Sequence, residues 1–171
     1  MSNVALYLAV LVLGSNFSST TVSNNVETQP VISHVQLVTE EQRFVDLINS
    51  ERTENGLNVL KVDMDLVVTA RLHSKEMYEK GYFDHFSPTP GLTSPMDRYL
   101  AVVKARPRWI TIGENLYYCS VVDVNRGHEA LMKSPAHRAN ILSPVYENVG
   151  VGVYKSESGE FWVTEMFSAV K

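Results

Sequence analysis

Cysteine is almost absent from this sequence: Cys119 is the only one in 171 residues, so no intramolecular disulfide can form. Basic residues are also sparse, with 15 Lys and Arg against 19 Asp and Glu and none before Arg43. The resulting net charge of −4 carries no basic stripe, which argues against nucleic-acid binding. Long apolar runs are missing too. The longest, Val4 to Leu13, falls short of the roughly 18 to 20 residues that cross a bilayer, so no transmembrane span is expected in the mature domain. No G-x-S-x-G elbow surrounds Ser74 or Ser87, although each lies near a histidine, which disfavours a serine hydrolase. Neither a repeat nor a low-complexity segment is evident. What remains is ordinary globular composition, 44% hydrophobic and 20% charged, in a chain long enough to bury a core without staples.

The apolar run at Val4–Leu13, followed by Ser-, Thr- and Asn-rich residues, matches the central region of a secretory signal, despite the missing basic flank. The alternative is a buried N-terminal strand or helix. With no cysteine after the run, a lipoprotein anchor is not expected. These features divide the chain into a signal peptide or apolar segment at 1–19, a linker at 20–38 and a folded domain at 39–171, exported to the exterior or the cell surface.

Within the domain, Thr39 and Gln42 fit a capping box before a helix that carries Phe44, Val45, Leu47 and Ile48 and stops at Gly56. Asp63 or Asp65 caps a second helix, with Leu66, Ala70, His73 and Met77 on its buried face and Gly81 at its end. Ser94-Pro95 opens a third, spanning Pro95 to Val102. Trp109 to Tyr118 reads as extended and interrupted by Gly113, and Val122 to Lys133 as helical with Ser120 as its cap. Ser134-Pro135 starts a short helix bearing His137. Val149–Tyr154 and Phe161–Phe167 form a hairpin around Gly159, bulky on both faces, which implies a sheet covered by helices on each side.

Three segments place titratable groups beside structure-breaking residues: residues 81–88 (GYFDHFSP), 113–115 (GEN) and 134–142 (SPAHRANIL). His85, Glu114 and His137 could supply an N/N/O site for a divalent cation with open positions for water. Equally, Glu114 could orient an imidazole as an acid–base pair. Spacing alone decides neither. Cys119 reads as core filler, His73 as a hydrogen-bonded core residue, His128 as solvent-facing and His34 as part of the linker. Trp109, Tyr117, Tyr118 and Phe86 could wall a cleft, although core packing is the simpler expectation.

From Phe44 to Phe167 the chain resembles the CAP superfamily of cysteine-rich secretory, antigen 5 and pathogenesis-related proteins, in its disulfide-free bacterial branch. The resemblance is carried by residues 47–52 (LINSER) with Gly56-Leu57, by residues 70–77 (ARLHSKEM), by the three segments above, and by residues 149–153 (VGVGV) with 162–164 (WVT), all in order. It implies an α+β fold, a three-layer α-β-α sandwich around a mainly antiparallel sheet, with a cleft lined by two histidines and two acids. His85, Glu114 and His137 occupy three of those positions. The fourth lacks its acid: Leu131 stands where animal and plant members have a tryptophan preceding that glutamate, and Lys133 and Ser134 follow it. Glu129 is near in sequence, but Glu165, on one strand face with Phe161, Val163 and Phe167, is the better stand-in. Alternatively, Glu165 sits at a strand edge and meets solvent or an arginine.

The resemblance implies a binding domain rather than an enzyme. Its cleft would hold a divalent cation, zinc by preference, on His85 and His137 with Glu114 as ligand or supporting acid, and its partner would be a small apolar ligand or a cell surface. The rival is a metal-dependent hydrolase of peptide or cell-wall material, with Glu114 as base. A third expectation is a surface protein in which these residues only stabilise the fold.

Overall fold

The computed structural model describes residues 36–104 and 106–170, so the apolar segment, His34 and most of the expected linker lie outside the described residues. The first helix, α1, spans Thr39–Glu54, but Thr39 and Gln42 do not cap it. Val38 is the N-cap residue, and its N–H donates to Glu41 Oε2 at 3.0 Å. Glu41 is drawn inward: 1% exposed, it accepts from Arg71 Nε at 2.7 Å and from the Val153 N–H at 3.3 Å. One carboxylate thus closes the helix start and ties it to two other elements.

Strand β1 (Lys61–Val62) leads into α2 (Met64–Lys80). Asp63 caps α2, accepting from the Asp65 and Leu66 N–H groups, and Gly81 ends it at φ +67°, a backbone region that disfavours side chains. All four residues of the expected apolar face, Leu66, Ala70, His73 and Met77, are fully buried. Helix α3 (Pro95–Val102) has the Ser94 cap, reinforced by Asp97 reaching back to the Ser94 N–H at 2.9 Å. Strand β2 (Ile110–Cys119) runs unbroken through Gly113, where a side chain would collide with the Tyr146 hydroxyl. Helix α4 (Val124–Lys133) is capped by Asp123, which outcompetes Ser120 by accepting from Arg126 N–H at 3.0 Å. Helix α5 (Pro135–Ile141) follows after Ser134, and strands β3 (Asn148–Lys155) and β4 (Phe161–Val170) close the chain.

The sheet order is β1-β3-β4-β2, with β1 parallel to β3 and the other pairings antiparallel. One face of β4 packs Val163 and Phe167 with Phe44, Val45 and Ile48 of α1, Leu131 of α4 and Ile141 of α5. The other sets Trp162 and Met166 against Leu66, Ala70 and Met77 of α2 and Tyr99 of α3. The result is a three-layer α-β-α sandwich with a mainly antiparallel sheet. Helix α2 lies against β3 at Gly150 and Gly152, where any Cβ would strike the helix backbone.

Candidate functional site

Residues 82–94 connect α2 to α3 and carry His85. Two interactions shape this segment around the histidine. Asp84 Oδ1 accepts from the Phe86 N–H at 2.8 Å, turning the chain, and His73, fully buried in α2, donates Nε2–H to the Asp84 carbonyl at 3.1 Å. Burial lowers the His73 pKa, against the opposing charge of Glu114.

Glu114 projects from β2 to meet this loop. Its Oε1 lies 2.8 Å from His85 Nδ1, and its Oε2 accepts from Arg98 Nη2 at 2.6 Å. Arg98, 5% exposed on α3, also donates Nη1 to the carbonyls of His85, Thr93 and Leu92 at 3.0, 3.2 and 3.4 Å. One guanidinium therefore fixes both the carboxylate and the backbone of the histidine it orients. The Glu114 hydrogen bond raises the His85 pKa against the opposing effect of burial. Because Nδ1 is occupied, Nε2 is the nitrogen left for a ligand, on a ring whose side chain is 46% exposed.

The next residue in β2 points to the opposite face of the sheet, as strand geometry requires. Asn115 is fully buried there and donates Nδ2 to the His137 carbonyl at 3.1 Å and to Glu165 Oε2 at 2.9 Å. Its Oδ1 accepts from Asn140 Nδ2 at 2.9 Å, and Asn140 also donates to the Glu114 carbonyl at 3.1 Å. Helix α5 is thus pinned to β2 at the His137 carbonyl and, one turn later, at Asn140. The His137 ring is half-buried; burial lowers its pKa first, and the field of His85 lowers it further. The two expected histidines are pushed in opposite directions, His85 up by Glu114 and His137 down by burial and by His85.

Glu165 does not join His85 and Glu114. It lies on central strand β4, paired with Asn115, on the sheet face opposite Glu114, and is 0% exposed. It meets neither solvent nor arginine, and its Oε1 has no partner. Burial raises its pKa to about 7, opposed only by the Asn115 hydrogen bond. Sequence reasoning missed Arg98, Asn115 and Asn140 as parts of the site. The signal for Asn115 and Asn140 was present, since both stand inside the singled-out segments; Arg98 offered none.

Several other placements differ from expectation. His128 is 5% exposed, not solvent-facing, because α4 turns it toward α1, where its Nε2 lies 3.8 Å from Glu51 Oε1. Phe86, Trp109 and Tyr118 are 63, 45 and 41% exposed, whereas Tyr117 is partly buried against the core. Tyr118 and Phe83 lie over the buried Trp162, with ring centroids among the three 4.3 to 6.3 Å apart.

For a divalent cation, the donor chemistry fits two nitrogens better than an N/N/O set. Both Glu114 oxygens are engaged, one by the charge of Arg98, and among the described residues no three His, Cys, Asp or Glu side chains converge as a ligand group. His85 Nε2 and the His137 imidazole are the available donors, with Glu114 behind His85 as the carboxylate that sets ring orientation.

The same outline recurs in known proteins. The model of the cysteine-rich secretory protein family, CAP, matches residues 45–167. The uncharacterized protein YkwD of Bacillus subtilis is 36% identical over 125 residues, covering 73% of this chain and 46% of the relative. A crystal structure of an extracellular protein containing an SCP domain from Bacillus anthracis is 30% identical with a TM-score of 0.66, covering 75% of this chain and 39% of the other. An outer surface protein of Borrelia burgdorferi shares the fold at 18% identity and a TM-score of 0.66, covering 80% of this chain and 97% of its own. The chain spans less than half the length of the two Bacillus proteins.

Proposed function

The chain belongs to the cysteine-rich secretory protein family, CAP, and on that basis we propose that it is an exported, non-enzymatic binding domain that holds a divalent cation on His85 and His137. The observation that carries this reading is the engagement of both Glu114 oxygens, which leaves His85 Nε2 as the outward donor of an oriented ring. Zinc suits two imidazoles with further positions open to water or a partner. His137 favours the neutral form that binds metal, whereas Glu114 makes His85 compete for a proton, so affinity rises with pH. The apolar run at Val4–Leu13 supports export, and among the described residues no helix is long and apolar enough to cross a membrane. Phe83 and Phe86, on either side of His85 in the sequence and 49 and 63% exposed, offer apolar surface to a small ligand or a cell-surface partner.

The hydrolase reading has less support. A general base needs a free carboxylate oxygen, and the one nearest His85 is held there while the other is neutralised by Arg98. Zinc added to the purified full chain should raise its melting temperature, and the rise should disappear in the His85→Ala, His137→Ala double variant. An unchanged wild-type melting curve removes the cation from the account.

A further inference from the structure

A second cleft, of about 500 Å³, opens beside the C-terminal turn of α1, between the loop after that helix and the turn before β3. Arg52 lies at its base, 1% exposed. Its Nε donates to the Asn58 carbonyl at 2.8 Å, and its Nη1 to the Ile141 and Ser143 carbonyls at 2.8 and 2.9 Å. Every partner is a neutral carbonyl. Among the described residues no carboxylate pairs with this guanidinium, and burial, with no opposing acid, pulls its pKa down. Its Nη2 donates to nothing in the described residues, yet is not among the polar atoms sealed from solvent. A buried cation with two free N–H bonds at a cleft lacks a counter-charge, and an anion there would regain what desolvation costs.

The lining adds charge and shape. Lys61 is exposed on the same cleft and Glu147 is its one acid, which leaves a net charge of +1 with Arg52 and matches a monoanion. Leu57 and Tyr146, both half-buried, supply apolar wall. We propose that this cleft binds a carboxylate carried on a short apolar group, with Arg52 Nη2 as the buried donor and Lys61 at the mouth. A free aliphatic acid and the C-terminus of a peptide share that chemistry. The site uses neither His85 nor His137 and stands independently of the cation reading.

The test is titration of the full chain with N-acetyl-leucine, 4-methylpentanoate and N-acetyl-leucinamide, followed through the backbone amide resonances of Gly56, Asn58, Lys61 and Glu147. Both acids should shift these resonances saturably, and the amide, which lacks the charge, should not. Tighter binding of N-acetyl-leucine assigns a peptide terminus, and equal binding assigns the free acid. Exposed Lys61 can be changed without disturbing the core, and Lys61→Glu should weaken both acids by about tenfold or more; Arg52→Lys should remove binding. Equal binding of the amide, unchanged affinity in Lys61→Glu, or the absence of saturable shifts at these amides each overturns the proposal.

Discussion

Glu165 holds a carboxyl group where its charge has almost no solvation: it is fully buried on the central strand, with one oxygen on Asn115 and the other unpartnered. Burial lifts its pKa to about 7, well above the ordinary carboxyl value of 4.5. A raised folded-state pKa means that the stabilising contribution is complete below the unfolded value and is lost as pH rises through the folded one. Between pH 5 and pH 8 the protonated group should therefore forfeit on the order of 3 kcal/mol. Histidines shifted in both directions overlay this in the wild type, so the informative quantity is a difference. Urea unfolding of wild type and Glu165→Gln across that range should show the wild type losing ground to the variant as pH rises. A constant difference between the two would mean that Glu165 titrates like an exposed acid. The sequence marked this residue by its position among Phe161, Val163 and Phe167, but the side of the sheet was hidden. It depended on register, because Glu114 and Asn115 differ by one residue and face opposite ways.

At the scale of elements, most of the architecture was legible because the punctuation is local. Ser94-Pro95, Asp63 and Gly81 mark helix ends by chemistry that needs no partner, and they stand where expected. The misreadings arose where a distant group changed a local preference or a neighbouring residue capped better than the expected one. Glu41 took over the start of α1 because Arg71 lies across from it, Asp123 displaced Ser120, and Gly113 proved to be room for Tyr146 rather than a break in β2. Gly150 and Gly152 belong to the same class, their missing side chains letting α2 settle on β3. Gly152→Ala should therefore cost about 1–3 kcal/mol, since helix backbone must retreat. Gly113→Ala meets only a tyrosine side chain that can swing, and should cost less. Urea midpoints of the two variants check the order, and a harmless Gly152→Ala would show that α2 does not rest on that strand.

For the whole molecule, the sheet divides the candidate site into two halves. On one face Arg98, Glu114 and the 82–94 loop orient His85; on the other Asn115, Asn140 and Glu165 anchor the helix that carries His137. The sequence brought His85, Glu114 and His137 together only through family resemblance, since no spacing relates residues on three separate elements. What it withheld was the division of labour: Glu114 orients His85, and Glu165 lies buried on the opposite face of the sheet. The proposed binding role rests on this arrangement, in which Arg98 already pairs with the acid beside His85. The most direct measurement is a zinc titration of the full chain that follows the imidazole resonances. His85 and His137 should shift together and saturate at one equivalent, while the buried rings of His73 and His128 stay unmoved. Shifts at only one of His85 and His137, or saturation that persists in His137→Ala, would contradict a shared cation.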